Sequence, residues 1–416
     1  MLATSVAADP ALTTTIGVVG GGQLAWMLAA AADDLGLELR VQTPSSNDPA
    51  TRLAKVVEQA PLDDVEATRK LALGCTAITF ENEWVNLEGL AALASEGVTF
   101  LPSLHALEPL VCKRRQRELL QQLRLPAPAW LPLGELLVSL TPPADSNNLQ
   151  PKSPLPVVAP LQMRPGWQFP LMAKAITGGY DGKGTEVLRN RSDLDRLLQR
   201  VESDHWIVEA LVAFDLELSQ LVARDCQGNV VCYPLVQTQQ HSQVCDWVLA
   251  PADVPHAVQA YARNVAASLL TALDYVGVLC IEFFYGPQGL QVNEVAPRTH
   301  NSGHLTIEAA QTSQFAQQAR IVAGLPMGSV ELKVPGALMV NLLGFECSQH
   351  DYGEQRRALA SLPGATVHWY GKQGSTPGRK LGHVTLVLDG GTAALRERQA
   401  QQCLAAVRAI WPLPAT

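Results

Sequence analysis

The first strongly patterned stretch of the 416-residue chain joins an apolar strand to a glycine turn and a helix. Residues 15–19 read Thr-Ile-Gly-Val-Val, residues 20–22 are all glycine, and an alanine- and leucine-rich segment runs on to Asp34. Gly36 ends that helical pattern, and residues 37–41 have the composition of a second strand. This order is typical of a parallel βαβ unit, so the chain is predicted to begin with parallel α/β structure.

Strand and helix patterns continue to alternate along the chain, and they predict an α/β protein of several domains. Residues 1–14 are a predicted leader, and residues 15–112 a small parallel α/β domain. Residues 113–335 are predicted to form a central α+β domain, and residues 336–416 a small β-rich domain. The stretch 141–165 contains seven prolines among Ser, Asn and Gln, which is typical of a loop or a disordered insertion.

Composition restricts the classes of function. Hydrophobic residues make up 47% and charged residues 17% of the chain, so folded domains are favoured over disorder. The formal net charge of -8 argues against a general nucleic-acid binder, which needs a basic excess to neutralise phosphates. It leaves room for a small anionic substrate in a local basic pocket.

The cysteines and the N-terminal segment predict a cytoplasmic protein. None of the eight cysteines forms a C-x-x-C pair, which favours reduced, mostly buried thiols. The apolar stretch 16–32 precedes the first basic residue, Arg40, so it lacks the positive flank of a signal peptide. It is also short for a bilayer span, and no membrane partner is predicted.

The first glycine cluster fits the pattern G-x-G-x-x-A with Gly20, Gly22 and Ala25. Such a turn lets backbone N–H groups approach a phosphate at the N-terminus of a helix. Binding of NAD also needs an acidic residue at the end of the second strand, and residues 40–44 contain none. An NAD-dependent oxidoreductase is therefore disfavoured, while a tight packing turn and a ligand-contacting turn both remain open.

The second glycine cluster lies between two predicted strands and follows Lys174. Residues 178–184 read Gly-Gly-Tyr-Asp-Gly-Lys-Gly. This is not a Walker A loop, because Gly184 stands where Ser or Thr is needed and Thr177 where the first glycine is needed. A glycine loop beside a strand lysine indicates a lid whose amides wrap a polyphosphate. The alternative is a flexible hairpin with no ligand.

Two glutamates lie on the arms of a predicted hairpin. If residues 286–290 form a five-residue loop, Glu282 lies opposite Glu294 with both side chains on one face. Facing carboxylates repel each other unless a cation lies between them, and Mg²⁺ prefers such oxygen ligands together with nucleotide phosphates. The alternative is a pair of exposed acids at a sheet edge.

Two polar clusters follow that hairpin. Residues 297–304 read Pro-Arg-Thr-His-Asn-Ser-Gly-His, and ionisable groups beside a metal site favour substrate binding or proton transfer. Each histidine there also has a purely structural interpretation. Lys372, Arg379 and Lys380 form a basic patch near His383 in the last segment, which is either an anion site or a solvated hairpin tip.

Several motifs occur together in one order: GGGQLA, ITFENEWV, TGGYDGKG, YVGVLCIEFF, QVNEVAPRTHNSGH and PGRKLGH. From Ile16 to about Leu388 the chain resembles the ATP-grasp superfamily, and within it the carboxyaminoimidazole ribonucleotide synthases. The resemblance implies a Rossmann-like N-terminal domain, a central ATP-grasp domain and a small β-rich C-terminal domain. It also implies carboxylation of the exocyclic amine of aminoimidazole ribonucleotide with ATP and bicarbonate, through carboxyphosphate, in de novo purine biosynthesis.

The same resemblance implies ATP and Mg²⁺ as cofactors, a homodimer, and a set of site residues. The residues implied for ATP are Lys113, Lys174, Gly179, Tyr180, Asp181, Gly182, Lys183, Gly184, Thr185, Glu209, Ala210, Leu211, Val212, Glu217, Asn293 and Glu294. Those implied for the ribonucleotide are Gly22, Gln23, Leu24, Arg298, His300, Asn301, Ser302, Gly303, Lys372, Arg379 and Lys380. Glu282 and Glu294 are implied as Mg²⁺ ligands. Asp181, Lys183 and His300 are implied as catalytic residues.

The chain departs from the family pattern at three places. Ala25-Trp26 replaces Gly-Arg after the first glycine turn, Gln240 replaces a histidine, and Cys112-Lys113 replaces Asp-Arg. Two other functions share features of this sequence. Another ATP-grasp ligase, such as a formate-using transformylase, shares most of these motifs. A nucleotide-binding regulatory module without turnover is disfavoured, since Lys174, Asp181 and the glutamate pair are all present.

Overall fold

The computed structural model describes residues 14–139, 161–179 and 183–415. Contacts divide the described chain into two compact bodies. The first body comprises the described residues of Met1–Val111 and Phe214–Thr416, and the second those of Cys112–Ala213. Apart from Cys112, the second body falls inside the predicted central domain 113–335, whose boundaries remain a prediction of the sequence.

The first body opens with a parallel four-stranded sheet in the order β3-β2-β1-β4, which confirms the predicted βαβ start. Helix α1 ends where predicted, because Gly36 adopts a positive φ of 70°, which glycine adopts without steric cost. The elements of this segment are β1 Thr15–Val19, α1 Gln23–Asp34, β2 Glu38–Thr43, a 3₁₀ helix Pro49–Arg52, β3 Val56–Gln59, α2 Val65–Ala72, β4 Ile78–Phe80, α3 Leu87–Ser95 and α4 Leu104–Leu107.

The second body is built on an antiparallel sheet in the order β5-β10-β8-β9 with a separate two-stranded ribbon of β6 and β7. Its elements are α5 Lys113–Gln122, β5 Trp130–Pro132, β6 Leu137–Ser139, β7 Leu161–Met163, β8 Leu171–Ala175, β9 Thr185–Leu188, α6 Arg191–Leu198 and β10 Trp206–Ala210, with 3₁₀ helices at Leu133–Glu135 and Ser203–His205. Buried leucines of the sheet and of α6, among them Leu171, Leu188 and Leu194, form its core.

The rest of the first body carries a large antiparallel sheet whose strands run in the order β16-β15-β11-β13-β14-β17-β19-β18, with β12 beside β11. Its elements are β11 Leu216–Arg224, β12 Val230–Cys232, β13 Val236–His241, β14 Val244–Ala250, α7 His256–Leu273, β15 Gly277–Gly286, β16 Gly289–Ala296, a 3₁₀ helix Asn301–Gly303, α8 Thr306–Ala309, α9 Gln314–Val322, β17 Gly336–Leu343, α10 Gly353–Ala360, β18 Ala365–Trp369, β19 Lys380–Leu388 and α11 Ala393–Ile410. Among the described helices, none has both the length and the apolar character that crossing a membrane requires.

The predicted β-rich C-terminal segment is continuous with this sheet. Strand β14 pairs with β17, for example at Trp247 and Val340, and β17 pairs with β19. The hydrogen-bonded ladder therefore crosses the predicted boundary between residues 335 and 336. The C-terminal strands extend the central sheet instead of forming one of their own.

Two segments near the predicted central domain have local features of their own. Residues 104–122 form two helices, α4 and α5, and Cys112 directly before α5 adopts an extended backbone with φ -128° and ψ 121°. Of the predicted insertion 141–165, residues 141–160 lie outside the described residues. Its last part is ordered, since Leu161–Met163 pairs with β6.

Helix α1 and helix α9 share one apolar core, and this core positions the loop between β16 and α9. Ala25 and Leu28 of α1 are buried together with Phe315 and Ala319 of α9. Ser313 caps α9 by accepting a hydrogen bond from the backbone N–H of Ala316 at 3.1 Å. The polar loop 297–304 therefore lies between a sheet strand and a helix that is fixed on the N-terminal domain.

The buried side chain of Trp411 is expected to contribute strongly to the stability of the C-terminal elements. Its side chain is fully buried, packs on Tyr352 with ring centroids 4.9 Å apart, and donates a hydrogen bond from Nε1 to the carbonyl oxygen of Leu343 at 2.7 Å. We expect Trp411→Ala to lower the free energy of unfolding by about 3–5 kcal/mol, because it leaves a large cavity. Chemical denaturation measures this. The matched control, Trp84→Ala, removes an indole that is 42% exposed and should cost about 1 kcal/mol or less.

Candidate active site

The hairpin of β15 and β16 places Glu282 opposite Glu294, although by a different turn from the one predicted. The predicted five-residue loop over 286–290 is wrong, because Gly286 pairs with Gly289 across a two-residue turn. A β-bulge between Glu282 and Phe283 shifts the register by one residue at Asn293 and restores the pairing of the two glutamates. Directly paired residues lie on one face, so the carboxylates are neighbours.

A third carboxylate, that of Glu217, lies near this pair. Burial, and then the carboxylate of Glu282, raises the pKa of Glu217 to about 7. Asn293 donates a hydrogen bond from Nδ2 to Oε2 of Glu282 at 3.3 Å. Like charges at this spacing disfavour one another, and a cation relieves the repulsion.

The residues present fit Mg²⁺ only in part. Carboxylate oxygens are its preferred protein ligands, and the paired glutamates supply them. Among the described residues, no group of three or more His, Cys, Asp or Glu side chains is arranged to hold a metal ion. A cation here would therefore take its remaining ligands from water or from a bound phosphate, which is the usual habit of Mg²⁺ at nucleotide sites.

His300 joins the hairpin to the loop that follows it. Its Nε2 lies 3.4 Å from Oε1 of Glu282, and its Nδ1 accepts a hydrogen bond from the backbone N–H of Ser302 at 3.3 Å. Because Nδ1 accepts from a backbone N–H, the neutral ring carries its proton on Nε2, facing the carboxylate. The hydroxyl of Ser302 contacts that of Ser219 on β11 at 2.7 Å, which anchors the loop on the sheet.

Arg298 is oriented by a residue of the N-terminal domain. Its Nε donates to Oε2 of Glu83 at 2.7 Å, and its Nη2 donates to Oε1 at 3.4 Å. Both side chains are largely buried. Burial by itself lowers the pKa of Arg298, but the carboxylate of Glu83 raises it above its ordinary value. A forked pair of this kind fixes the plane of the guanidinium.

The backbone N–H groups of the first glycine turn donate hydrogen bonds to a carboxylate of the chain. Glu81 accepts hydrogen bonds from the backbone N–H groups of Gly22 at 2.6 Å and Leu24 at 3.0 Å, at the N-terminus of α1. A Cβ at Gly22 would lie 2.5 Å from Oε1 of Glu81, so close approach demands glycine here. Burial raises the pKa of Glu81, while these hydrogen bonds and the charge of Lys372 oppose the change. The turn is therefore already satisfied by an anion from within the chain.

The basic patch of Lys372, Arg379 and Lys380 lies in the hairpin of β18 and β19, here called the basic hairpin. This hairpin contacts the same glycine turn. Lys372 donates a hydrogen bond from Nζ to Oε1 of Gln23 at 2.7 Å and to the carbonyl oxygen of Lys380 at 3.0 Å. Arg379 turns back on its own loop, where Nη1 donates to the carbonyl oxygens of Gln373 and Gly374 at 2.5 and 2.8 Å. The structure thus brings Gln23, Lys372 and Lys380 together, while Arg379 lies in an exposed loop.

The second body contains a buried ion triad. Lys174 on β8 lies 2.8 Å from Oε2 of Glu209, and Nε of Arg117 donates to Oε1 of Glu209 at 2.6 Å. Although burial alone raises it, the charges of Lys174 and Arg117 bring the pKa of Glu209 down to about 2. Burial, opposed by Glu209, lowers the pKa of Lys174. The side chain of Glu209 is therefore the counter-ion of a buried lysine.

The predicted glycine lid is described at its two ends. Gly179 and Gly184 approach each other so closely that a Cβ at Gly179 would lie 2.9 Å from the carbonyl oxygen of Lys183. Tyr180, Asp181 and Gly182 lie outside the described residues. Thr185 begins β9, and Lys113 begins α5 with its N–H donating to the carbonyl oxygen of Ile176 at 2.8 Å.

The predicted adenine stretch follows the triad. Ala210 ends β10, Val212 is partly exposed, and the side chain of Leu211 is 44% exposed. A single exposed apolar side chain is ordinary on a protein surface and does not by itself mark a ligand site. The assignment of these residues to a nucleotide remains a prediction.

Comparison with known proteins covers nearly the whole chain. Residues 13–110 match the ribonucleotide synthetase preATP-grasp domain, residues 161–315 the ATP-grasp domain, and residues 337–397 the phosphoribosylaminoimidazole carboxylase C-terminal domain. The chain is 47% identical over 401 residues to N5-carboxyaminoimidazole ribonucleotide synthase of Synechococcus elongatus. The aligned region covers 96% of each chain. The chain belongs to the N5-carboxyaminoimidazole ribonucleotide synthase family.

Solved structures of this family have the same fold. The synthetase from Thermus thermophilus is 32% identical, with a TM-score of 0.78 over 96% of this chain and 100% of the other. The synthase from Aspergillus clavatus in complex with ADP and 5-aminoimidazole ribonucleotide is 27% identical, with a TM-score of 0.79 over 95% of this chain and 99% of the other.

Two of the three departures from the family pattern have local explanations. Trp26 packs edge-on against Tyr370, with ring centroids 6.3 Å apart, so the position is used for packing against the basic hairpin. Gln240 lies at a register shift in the β13–β14 hairpin, and the adjacent His241 lies with Nε2 3.1 Å from the carbonyl oxygen of Pro414. His241 is therefore engaged by the C-terminal tail.

Sequence reasoning missed Glu81, Glu83 and Arg117. The two glutamates lie in the motif ITFENEWV, which marked the family but carried no assigned role. The adjoining strand end was the available signal, because β4 is parallel to β1 and both end at the same edge of the sheet. Arg117 lies in the basic run Lys-Arg-Arg-Gln-Arg, where nothing in the sequence distinguishes the buried arginine.

The ion triad predicts an acid-sensitive stabilisation of the protein. We expect Glu209→Gln to lower the free energy of unfolding at pH 7 by about 3–5 kcal/mol, because it removes the counter-ion of two buried cations. The pKa of Glu209 falls from 4.5 to about 2 on folding. Its contribution is therefore complete above about pH 4.5 and is lost as the pH falls toward 2.

The measurement is urea denaturation of wild type and variant between pH 7 and pH 3. Glu135→Gln is the matched control, because it removes a carboxylate of the same body from an exposed pair with Arg164 at 2.9 Å. That change should cost about 1 kcal/mol or less. Equal losses for the two variants at pH 7 would contradict the assignment of Glu209 as a buried counter-ion.

Proposed function

We propose that the chain makes N5-carboxyaminoimidazole ribonucleotide from aminoimidazole ribonucleotide, bicarbonate and ATP, as a step of purine biosynthesis. The main structural support is that Glu282 faces Glu294 across the hairpin and that His300 lies against Glu282. The chain also belongs to the family whose members are named for this activity. An acidic pair suits the cation of a polyphosphate, and the neighbouring histidine suits proton handling.

ATP is the phosphoryl donor. Relatives of this family are known in complex with ADP and with ATP, which supports a nucleotide site here. In the second body, Lys113, Lys174 and the lid residues 179–185 are proposed to contact the nucleotide, with residues 209–212 near its base. In the first body, Glu217 is proposed for the ribose, and Asn293 and Glu294 lie on the hairpin for its phosphates.

Glu282 and Glu294 are proposed to hold Mg²⁺. When bound, the ion neutralises phosphate charge and orients the transferred group. The chain's own contribution is the bulge at Asn293, which keeps both carboxylates on one face. Asn293 also binds Glu282 and so limits its rotation.

The reaction joins two displacements. An oxygen of bicarbonate attacks the γ-phosphorus of ATP, the bond to ADP breaks, and carboxyphosphate forms. The amine nitrogen of the ribonucleotide then bonds to the carboxyl carbon, directly or after release of carbon dioxide. The bond to phosphate breaks and the amine loses a proton to a base. Asp181 and His300 are the proposed proton-handling residues, Lys183 is proposed to assist from the lid, and the closed lid is proposed to exclude water from carboxyphosphate.

The basic hairpin is proposed to bind the 5′-phosphate of the ribonucleotide. A relative of this family is known in complex with 5-aminoimidazole ribonucleotide, which supports a ribonucleotide site. The amides of the first glycine turn already serve Glu81, so the cations of Lys372, Arg379 and Lys380 are better suited to the phosphate. The other proposed contacts come from residues 22–24, from Arg298 and from the loop 300–303.

The deciding experiment measures ADP release with the purified protein, ATP, Mg²⁺ and aminoimidazole ribonucleotide, adding bicarbonate or formate. We expect release that depends on both bicarbonate and the ribonucleotide, with a carboxylated product. Release that depends on formate would favour a formate-using transformylase, and release without any acceptor would contradict both ligase assignments. A homodimer and a cytoplasmic location remain predictions.

The glutamate pair predicts a metal-dependent loss of activity. We expect Glu294→Gln to lower ADP release by at least a hundredfold and to weaken the dependence on Mg²⁺, because one anionic ligand is lost. Circular dichroism should show an unchanged fold. The control Glu331→Gln removes an exposed carboxylate of the same body and should leave turnover near that of wild type. Normal turnover of Glu294→Gln at limiting Mg²⁺ would show that the pair is structural.

The basic hairpin predicts a selective effect on one substrate. We expect Lys372→Met or Arg379→Ala to raise the KM for the ribonucleotide about ten- to a hundredfold, with little change in the KM for ATP. Steady-state kinetics with each substrate varied in turn measures this. Arg398→Ala removes an exposed cation from α11 of the same segment and should change neither constant. Equal changes in both constants would contradict the phosphate assignment.

A further inference from the structure

A chain of buried polar side chains lies beneath the proposed ribonucleotide site. Tyr370, His383 and His304 are all fully buried. The hydroxyl of Tyr370 lies 2.8 Å from Nδ1 of His383, and the rings of His383 and His304 lie 4.9 Å apart between centroids. The proposed reaction uses none of the three.

One end of this chain closes the base of the basic hairpin. Tyr370 is two residues before Lys372, and its backbone N–H donates to the carbonyl oxygen of Leu381 at 3.0 Å. The ring of Tyr370 also lies beneath Lys372, whose Nζ is 5.4 Å from the ring centroid. The hydrogen bond from Tyr370 to His383 therefore joins the two strands that lead into and out of the hairpin.

The other end is tied to the loop that carries His300. The side-chain amide of Gln314 accepts from the backbone N–H of His300 at 2.8 Å and donates to its carbonyl oxygen at 2.7 Å, so its orientation is fixed. The same Nε2 donates to Nδ1 of His304 at 3.3 Å. His304 thus presents its other nitrogen away from Gln314, and its ring packs on His383.

His383 is also held from its opposite side. His368 on β18 stacks on it with ring centroids 4.5 Å apart, and Nε2 of His368 lies 2.7 Å from Oε1 of Glu308. In the sheet, His383 pairs with Asn341 on β17, whose side-chain amide exchanges hydrogen bonds with that of Asn301 in the loop. A polar row therefore crosses three strands under the loop.

Burying such a row of polar side chains is unfavourable for folding unless the row holds neighbouring segments in a defined arrangement. Apolar side chains at these positions would bury more favourably, since buried polar groups lose their contacts with water. The Nε2 atoms of His304 and His383 have no hydrogen-bond partner among the described residues, so stability alone does not explain the two rings. Burial, and then the charge of Lys380, lowers the pKa of His304.

We propose that Tyr370, His383 and His304 position the two halves of the ribonucleotide site, by fixing the hairpin of Lys372 and Lys380 against the loop of His300. This inference rests on the proposed function. The three residues do not touch the substrate. They determine how far its phosphate cations lie from the loop that faces the amine.

Tyr370→Phe is the mildest test, because it removes one oxygen and keeps the ring that packs on Trp26 and Lys372. We expect the KM for aminoimidazole ribonucleotide to rise about five- to tenfold, as for the loss of one hydrogen bond in a buried network. The KM for ATP should stay within twofold. The measurement is steady-state ADP release with bicarbonate and Mg²⁺ present.

Tyr233→Phe is the matched control. Tyr233 is 1% exposed, and its hydroxyl donates to the carbonyl oxygen of Thr312 at 3.1 Å, remote in sequence from the hairpin. Both variants should lose similar thermal stability, but only Tyr370→Phe should raise the KM for the ribonucleotide. Equal KM changes, or an unchanged KM in Tyr370→Phe, would overturn the proposal.

A double variant tests whether Tyr370 acts through the hairpin. If it does, Tyr370→Phe should add less than twofold to the KM of Lys372→Met, because the cation it positions is already gone. Fully multiplicative effects would overturn the positioning role. If wild type itself shows no turnover that depends on bicarbonate and the ribonucleotide, the proposed function fails first, and this outcome differs from normal turnover with an unchanged KM in Tyr370→Phe.

Discussion

The register of the β15–β16 hairpin, which holds Glu282 directly opposite Glu294, sets the arrangement of the candidate site in the first body. Two like charges on paired strands are unfavourable, and the sheet register nevertheless holds them side by side. The bulge at Asn293 is the local feature that achieves this. Burial, and then the carboxylate of Glu282, raises the pKa of the nearby Glu217 to about 7. His300 and the loop after β16 are arranged around the same pair. A cation between the two carboxylates would lower their repulsion.

The second body contains carboxylate and cationic side chains that are paired with one another. Its buried charges are balanced internally, since Glu209 lies between Lys174 and Arg117. Lys174 is thus held in place by a carboxylate of its own body. A preorganised cation loses less side-chain entropy on binding an anion than a lysine on the surface does. The first body thus pairs two carboxylates across a hairpin, and the second pairs one carboxylate with two cations.

Local patterns predicted the elements well, and long-range contacts escaped them. The strand at Thr15–Val19 and the end of α1 at Gly36 follow from apolar runs and from glycine geometry, which the sequence displays directly. The pairing of Glu282 with Glu294 was predicted with the wrong turn, because a bulge leaves no mark in composition. Glu81 and Glu83 act on residues far away in the chain, and such contacts depend on how strand ends meet at one edge of a sheet. Periodicity carries no information about that meeting.

The ladder between β14 and β17 has a consequence for how this protein can be divided. A chain ending before Gly336 would leave β14 as an open edge, with its backbone N–H and C=O groups exposed along Trp247 to Ala250. Apolar side chains at Val248 and Leu249 would make that edge a template for pairing with other chains. The C-terminal segment is thus not a detachable module. It is the part of the sheet that keeps the central strands from assembling with copies of themselves.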